Sequence, residues 1–409
     1  MDKSTAKKIL NECEKKAADD FRILEEVALY NQSKVLNAFR KNRVSSMHFQ
    51  GTNGYGYNDS GRETLCKVFS DIMHCEDSIV SPLIANGTHA LNLALFGLLR
   101  PNDLLLSISG KPYDTLDAVI NGENNGSLKD YGIKYSKIEL TDEGEFDYTA
   151  ITKALENKPK VVFIQRSKGY LWRDALTMDR VSNGINHVKK VYPEAIILVD
   201  NCYGEFVEKI EPTDVGADII VGSLIKNPGG GIAPTGGYIC GKKSLIEQIS
   251  YRLTVPSMGM EVGSYSSGYR LFFQGIFLAP SIVLNALKGN VLAGYAFKTM
   301  GYKTMPEAGE MPADIIKSIK FNTSEELITF CQTIQTVSPI DSYVTPEPWD
   351  MPGYSNPVIM AAGTFVQGAS LELTADGTIR DPYIAYMQGG LTYEHCKLAL
   401  LELLEKLAK

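Results

Sequence analysis

Histidine is scarce in this 409-residue chain, and its five copies (His48, His74, His89, His187, His395) show neither an H-E-x-x-H pattern nor paired ligand spacing. No metal site is expected from them. The seven cysteines (Cys13, Cys66, Cys75, Cys202, Cys240, Cys331, Cys396) are odd in number and lack C-x-x-C spacing. They suggest neither a zinc site nor a disulfide framework, and they point to a reducing, cytoplasmic compartment. No run approaches ~20 uncharged apolar residues, and the opening MDKSTAKKILNECEKKAADDF has no apolar core of signal-peptide length. Membrane spanning and secretion are therefore not expected. A basic stripe is missing too: 41 Lys and Arg are scattered among 48 Asp and Glu, for a net charge of -7. Nothing here would track a phosphate backbone, so nucleic acid is not expected as a partner. Internal repeats and low-complexity tracts are likewise absent.

What is present is enough apolar material, 44% of the chain, for a sizeable core spread over about two or three domains. Ile9, Cys13, Ala17, Phe21, Leu24 and Val27 recur at helical spacing, which predicts a helical arm over residues 1–48. The Gly-, Asn- and Tyr-rich stretch from Phe49 to Leu65 reads as an exposed loop. From about residue 78, short apolar runs alternate with helical stretches, the pattern of βα units on a mostly parallel sheet. Runs such as AIILV and DIIVG are apolar throughout, as strands covered on both faces require. A large α/β domain is expected over 49–300. A helix after Pro280 would lead into a smaller α+β domain over 301–409, with strands in NPVIMAAGTF, ASLELTA and YIAYMQG and a closing helix in TYEHCKLALLELLEKL.

In open α/β sheets, ligands sit beyond the carboxyl ends of the strands, so polar residues ending apolar runs are the candidates for chemistry. Asn86-Gly87-Thr88 follows SIVSPLIA and opens a helix, offering free backbone N–H groups and a hydroxyl to a phosphate. The plainer reading is a helix cap by Asn86 or Thr88. Asp200 ends the apolar strand AIILVD, where a carboxylate needs a cationic partner. Lys226 ends the next apolar run, and desolvation with a cationic neighbour would depress its pKa, as a Schiff-base lysine requires. Alone, either could be an ordinary ion-pair residue. Together they could hold a planar ring at both ends, the lysine taking an aldehyde and the aspartate protonating a ring nitrogen. That is the arrangement for pyridoxal 5′-phosphate (PLP) as an internal aldimine. Ser223 could reach the same phosphate as Gly87 and Thr88, and Tyr113 could stack on the ring. Two look-alikes fail. Gly236 to Lys243 nearly spells a P-loop but ends in Lys243, and Ser223-x-x-Lys226 lacks the S-D-N and K-T-G companions of the penicillin-binding hydrolases.

Gly87-Thr88, Tyr113, Asp200 and Ser223-x-x-Lys226, together with the blocks FQGTNGYGYNDSGRETL, SGKPYDTL, RLFFQGIFLAP and QGGLTYEH, resemble the cystathionine/methionine lyase group of PLP enzymes. Within that group the chain is most similar to the bacterial methionine γ-lyase family, also known as aluminium-resistance protein. The resemblance implies the fold type I, aspartate-aminotransferase-like architecture. It also implies a homodimer or homotetramer in which Tyr55 or Tyr57, with Arg62, reaches the phosphate in a neighbouring subunit. Where the wider group has a hydroxyl just before the lysine, this chain has Ile225.

An amino-acid substrate needs a carboxylate anchor, for which arginine suits best; Arg380 is the first candidate, with Arg166 and Arg173 in competition. Gln165 could bond the cofactor's 3-hydroxyl. The chemistry expected is elimination of a thiol from a sulfur amino acid, of the cystathionine β-lyase or methionine γ-lyase kind. Lys226 would move the α-proton and Tyr113 would assist the leaving group. PLP-dependent transamination and a non-catalytic, PLP-binding role in stress tolerance are the alternatives.

Overall fold

The computed structural model describes residues 1–351 and 356–408. The amphipathic N-terminal sequence forms α1 (Lys3–Lys16) and α2 (Ala18–Lys41), which bury Leu10, Cys13, Phe21 and Leu24. The loop expected as far as Leu65 stops short, because Asp59 accepts a hydrogen bond from Arg62 N and starts α3 at once (Ser60–Ile72). Seven strands follow: β1 (Asp77–Ser81), β2 (Leu104–Ser107), β3 (Lys134–Lys137), β4 (Val161–Gln165), β5 (Ile196–Asp200), β6 (Ile219–Ser223) and β7 (Gly237–Gly241). They make one sheet in the order β1-β7-β6-β5-β4-β2-β3, parallel except for β7, which runs antiparallel to both β1 and β6. Helices α4 (Gly87–Leu98), α5 (Asp114–Asn121), α6 (Tyr148–Leu155), α7 (Met178–Val191) and α8 (Lys243–Leu253) are interleaved with these strands. The central strands β4, β6 and β7 are buried end to end, whereas the edge strand β3 carries exposed lysines, which discourage pairing with another sheet. The near-P-loop stretch is simply β7 running into α8.

Helix α9 (Arg270–Thr299) begins ten residues before the proline that was expected to precede it, and Pro280 lies inside the helix. Pro280, Phe273, Ile276 and Ala279 are all buried, and packing of this face compensates the backbone bond that proline forfeits. Among the described residues α9 is the one helix long and apolar enough to cross a membrane, and 61% of its most apolar window is buried in the protein.

The remaining strands are β8 (Lys303–Met305), β9 (Ile316–Lys320), β10 (Val358–Ala361), β11 (Thr374–Thr378) and β12 (Ile384–Gln388), with α10 (Ser324–Thr336) and α11 (Tyr393–Leu407). This second sheet is antiparallel, in the order β10-β11-β12-β9-β8. ASLELTA supplies only the first two residues of β11; the rest is an irregular approach in which Glu372 accepts the Phe365 and Val366 N–H groups. The two sheets are joined by Lys168, just past β4, whose buried ammonium donates to Ile316 O at 3.0 Å beside Asp314 at 3.7 Å.

Loop 49–59 is anchored in part through one buried carboxylate. Asp59 caps α3 and also accepts the hydroxyls of Thr52 and Tyr269. Asp59→Ala should cost about 3 kcal/mol, the sum of a lost cap and two charge-assisted bonds, read as a lower urea midpoint. A loss under about 1 kcal/mol would show that the loop is held by other contacts.

Candidate active site

Strand register places the polar strand ends together. Gln165 pairs with Asp200 across β4 and β5, and Ser81, Gly237 and Ser223 lie side by side across β1, β7 and β6. The turn after β1 carries the chain to Asn86, which caps α4 by accepting from His89 N. A capping role for Asn86 and a helix N-terminus open to an anion therefore coexist. Gly87 lies so close to β6 that a Cβ there would sit 3.3 Å from Ser223 Cβ and 3.5 Å from Cys202 Sγ. Thr88 Oγ1 and the Tyr113 hydroxyl are 3.0 Å apart, and Tyr113 N donates to Gln165 Oε1 at 3.1 Å. Gly87, Thr88, Tyr113, Gln165, Asp200, Ser223 and Lys226 thus gather around one edge of the sheet.

Asp200 is buried and accepts from Cys202 N at 3.1 Å. Burial pushes its carboxyl up, opposed by the Lys226 charge and the Cys202 bonds. For Lys226 the expectation of a depressed pKa is overturned. Burial acts in that direction, but Cys202, Tyr203, Asp200 and Tyr113 act against it and the pKa is raised. No cationic neighbour is among them, and Asp200 is the one carboxyl group in the set. Burial, then Asp200, also keeps the proton on Tyr113.

Sequence reasoning missed three residues in the turn after β5. Cys202 bonds Asp200, Tyr203 sets its ring 4.2 Å from Lys226 Nζ, and Glu205 lies fully buried beneath, bonded to Tyr238 at 2.7 Å. The one signal available was the polar DNCYGEF directly after an apolar strand.

The arginines separate clearly. Arg166 is 1% exposed, and its guanidinium is bound by Leu176 O, Asn201 Oδ1 at 2.7 Å and Glu208 Oε1 at 3.0 Å. With its fork committed to these groups it has none to offer a substrate, and it braces the loop that follows Asp200. Arg62 donates to Gly263 O at 2.7 Å and Gly56 O at 3.0 Å, while its Nε is buried without a partner. Tyr55 and Tyr57 in that loop are exposed and stacked 5.4 Å apart. Arg173 donates to Ser167 O, the carbonyl that also takes Gln165 Nε2, and its Nε is buried without a partner. Arg380 is exposed just beyond β11.

The fold defines an architectural class, the mixed α/β arrangement of fold type I. A distant likeness to the pyridoxal-5′-phosphate dependent protein YhfS from Escherichia coli (TM-score 0.63, 14% identity, 93% of this chain and 97% of that one) shows the fold alone. The chain belongs to the methionine gamma-lyase family, whose pattern its residues 6–408 match. It is 48% identical to the uncharacterized YnbB of Bacillus subtilis (strain 168) over 404 residues, 98% of this chain and 96% of YnbB. It superposes on a carbon-sulfur lyase involved in aluminum resistance from Clostridium novyi NT with TM-score 0.95 at 48% identity, covering 98% and 96% of the two chains. A candidate cystathionine beta-lyase involved in aluminum resistance from Listeria innocua gives TM-score 0.96 at 47% identity, covering 98% and 99%.

Arg166→Met should lower stability by about 3 kcal/mol in urea unfolding, because Glu208 and Asn201 lose a buried charged partner. A stable variant with a raised KM alone would restore Arg166 as a substrate ligand. Glu205 gives a pH signature. Burial pushes its carboxyl from an ordinary 4.5 to about 8, so between these values the native state holds a proton that the unfolded chain has released. Stability from this group is complete below pH 4.5 and falls by about 1.4 kcal/mol per pH unit up to about 8. Glu205→Gln should therefore gain on the wild type as pH rises from 5 to 8, and parallel urea-midpoint profiles would contradict the assignment.

Proposed function

We propose that the protein is a PLP-dependent carbon–sulfur lyase acting on a sulfur amino acid. The observation that carries the reading is that buried Asp200 and Lys226 stand at neighbouring strand ends beside a helix start that has an unfilled donor. Ser223 Oγ is buried with no hydrogen-bond partner, next to Gly87 at the start of α4. A buried hydroxyl left unsatisfied is costly, and a phosphate oxygen would satisfy it. The residues present therefore fit the cofactor. Gly87, Thr88 and Ser223 would hold the phosphate, Asp200 the ring nitrogen, Tyr113 the ring face, Gln165 the 3-hydroxyl, and Lys226 the aldehyde carbon. Bound there, PLP supplies an exchangeable imine carbon and an electron sink for the charge left at the substrate α-carbon.

The chain's own groups do the rest. Lys226, when its amine is free, would take the α-proton and could return it elsewhere. Tyr113, kept neutral by burial, has a proton to give to the departing thiolate. Arg380, exposed beyond β11, is the carboxylate anchor, with Arg173 beside Gln165 as its competitor. Loss of a thiol from the β-carbon would yield pyruvate and ammonia. Loss from the γ-carbon needs a second proton transfer and yields a 2-oxoacid one carbon longer. The exposed Tyr55–Tyr57 stack is a surface for a neighbouring subunit, and we place a second copy of the chain there.

Incubated with L-cystathionine or L-methionine, the PLP-loaded protein should release a thiol and a 2-oxoacid in equal amounts. Lys226→Ala should lower the rate by at least about 10³-fold. Amino transfer to an added 2-oxoacid without thiol release would make the protein an aminotransferase. No product from a loaded protein would leave a binding role.

A further inference from the structure

Tyr203 has a backbone that tyrosines seldom adopt, with φ at 69°, and Phe206 in the same turn has φ at 63°. Left-handed backbone in bulky residues costs free energy and persists only where surrounding contacts impose it. Those contacts are visible on two sides. Asn227, fully buried and next in sequence to Lys226, donates its Nδ2 to Tyr203 O at 3.2 Å and Glu205 O at 3.0 Å. From α2, Asn31 donates to Phe206 O at 3.1 Å and Glu208 O at 3.0 Å. The turn is thereby clamped between the lysine's own neighbour and the N-terminal arm. Its product is the Tyr203 ring 4.2 Å from Lys226 Nζ.

We infer that Tyr203 is a positioning residue for Lys226: its ring face receives the lysine ammonium whenever the lysine is free, at a height set by the Asn227 clamp. An aromatic face attracts an ammonium but not a neutral amine, and it holds without a directional bond that would have to be broken. A lysine with four rotatable methylenes is thus kept near one place while it carries a proton, yet can leave as an amine. The other titratable groups facing it are Asp200 at the end of β5, Cys202 and Glu205 in the turn, and Tyr113 before α5. Asp200 supplies the charge, and the ring supplies the location. The part of this inference that concerns turnover rests on the proposed lyase chemistry; the cradle itself belongs to the free protein.

The test begins without cofactor. PLP-free protein is treated briefly with acetic anhydride across a pH series, and acetylation of Lys226 is followed by mass spectrometry of its peptide. Tyr203→Phe keeps the ring and should leave the profile in place. Tyr203→Asn suits a left-handed backbone but removes the ring, and it should lower the apparent pKa of Lys226 by about one unit. Asn227→Ala, which releases the clamp, should shift it the same way. In the loaded enzyme, Tyr203→Asn should lower kcat more than it raises KM, with Tyr203→Phe restoring kcat. Superimposable acetylation profiles for wild type and Tyr203→Asn would overturn the inference, as would equal shifts for Phe and Asn. If the wild type turns over no sulfur amino acid, the lyase reading falls, while the acetylation series still decides the role of Tyr203.

Discussion

The structure depends on a buried carboxylate and a partly buried ammonium brought to neighbouring strand ends. Asp200 ends β5, a strand with no other polar side chain, and desolvation penalises its charge. Lys226, just past the neighbouring β6, is the compensating cation. Much of the surrounding architecture keeps that pair in place. Arg166, Asn201 and Glu208 brace the loop after Asp200, and Asn31 and Asn227 pin the turn that follows it. The glycines after Lys226 allow a close approach to α9: a Cβ on Gly230, whose φ is 57°, would lie 2.3 Å from Gly275 O. The two groups are thus held by long-range polar contacts and one backbone contact against the longest helix.

The gathering of Gly87, Thr88, Tyr113, Gln165, Asp200, Ser223 and Lys226 was legible in the sequence for a geometric reason. Parallel strands put their carboxyl ends on one edge, so a polar residue ending an apolar run announces its own position. The arrangement of βα units was legible for the same reason, through runs such as VVFIQ and IILVD that are apolar to their last residue. The turn after β5 was not. The turn from Tyr203 to Phe206 owes its placement to Asn227, Asn31 and Tyr238, from 22 to 175 residues away, and no local periodicity encodes such contacts.

The corrections share one cause. Arg166 was read as available because an arginine near a strand end has a free fork until its partners are known. Those partners are side chains of other segments, Asn201 and Glu208 among them. Pro280 reads locally as a helix start, yet tertiary burial carries α9 through it. The pKa of Lys226 was reasoned from desolvation and a cationic neighbour. Burial does lower it, but its actual neighbours, Cys202, Tyr203 and Asp200 among them, raise it.

The central claim is that Lys226 carries the cofactor aldehyde. The most direct measurement is to load the protein with PLP, reduce it with borohydride, digest it, and locate the phosphopyridoxyl mass among the peptides. The account predicts the label on Lys226, with loss of the visible absorption band on reduction and no such label in Lys226→Ala. A label on another lysine, or none in protein that has been offered excess PLP, would contradict it.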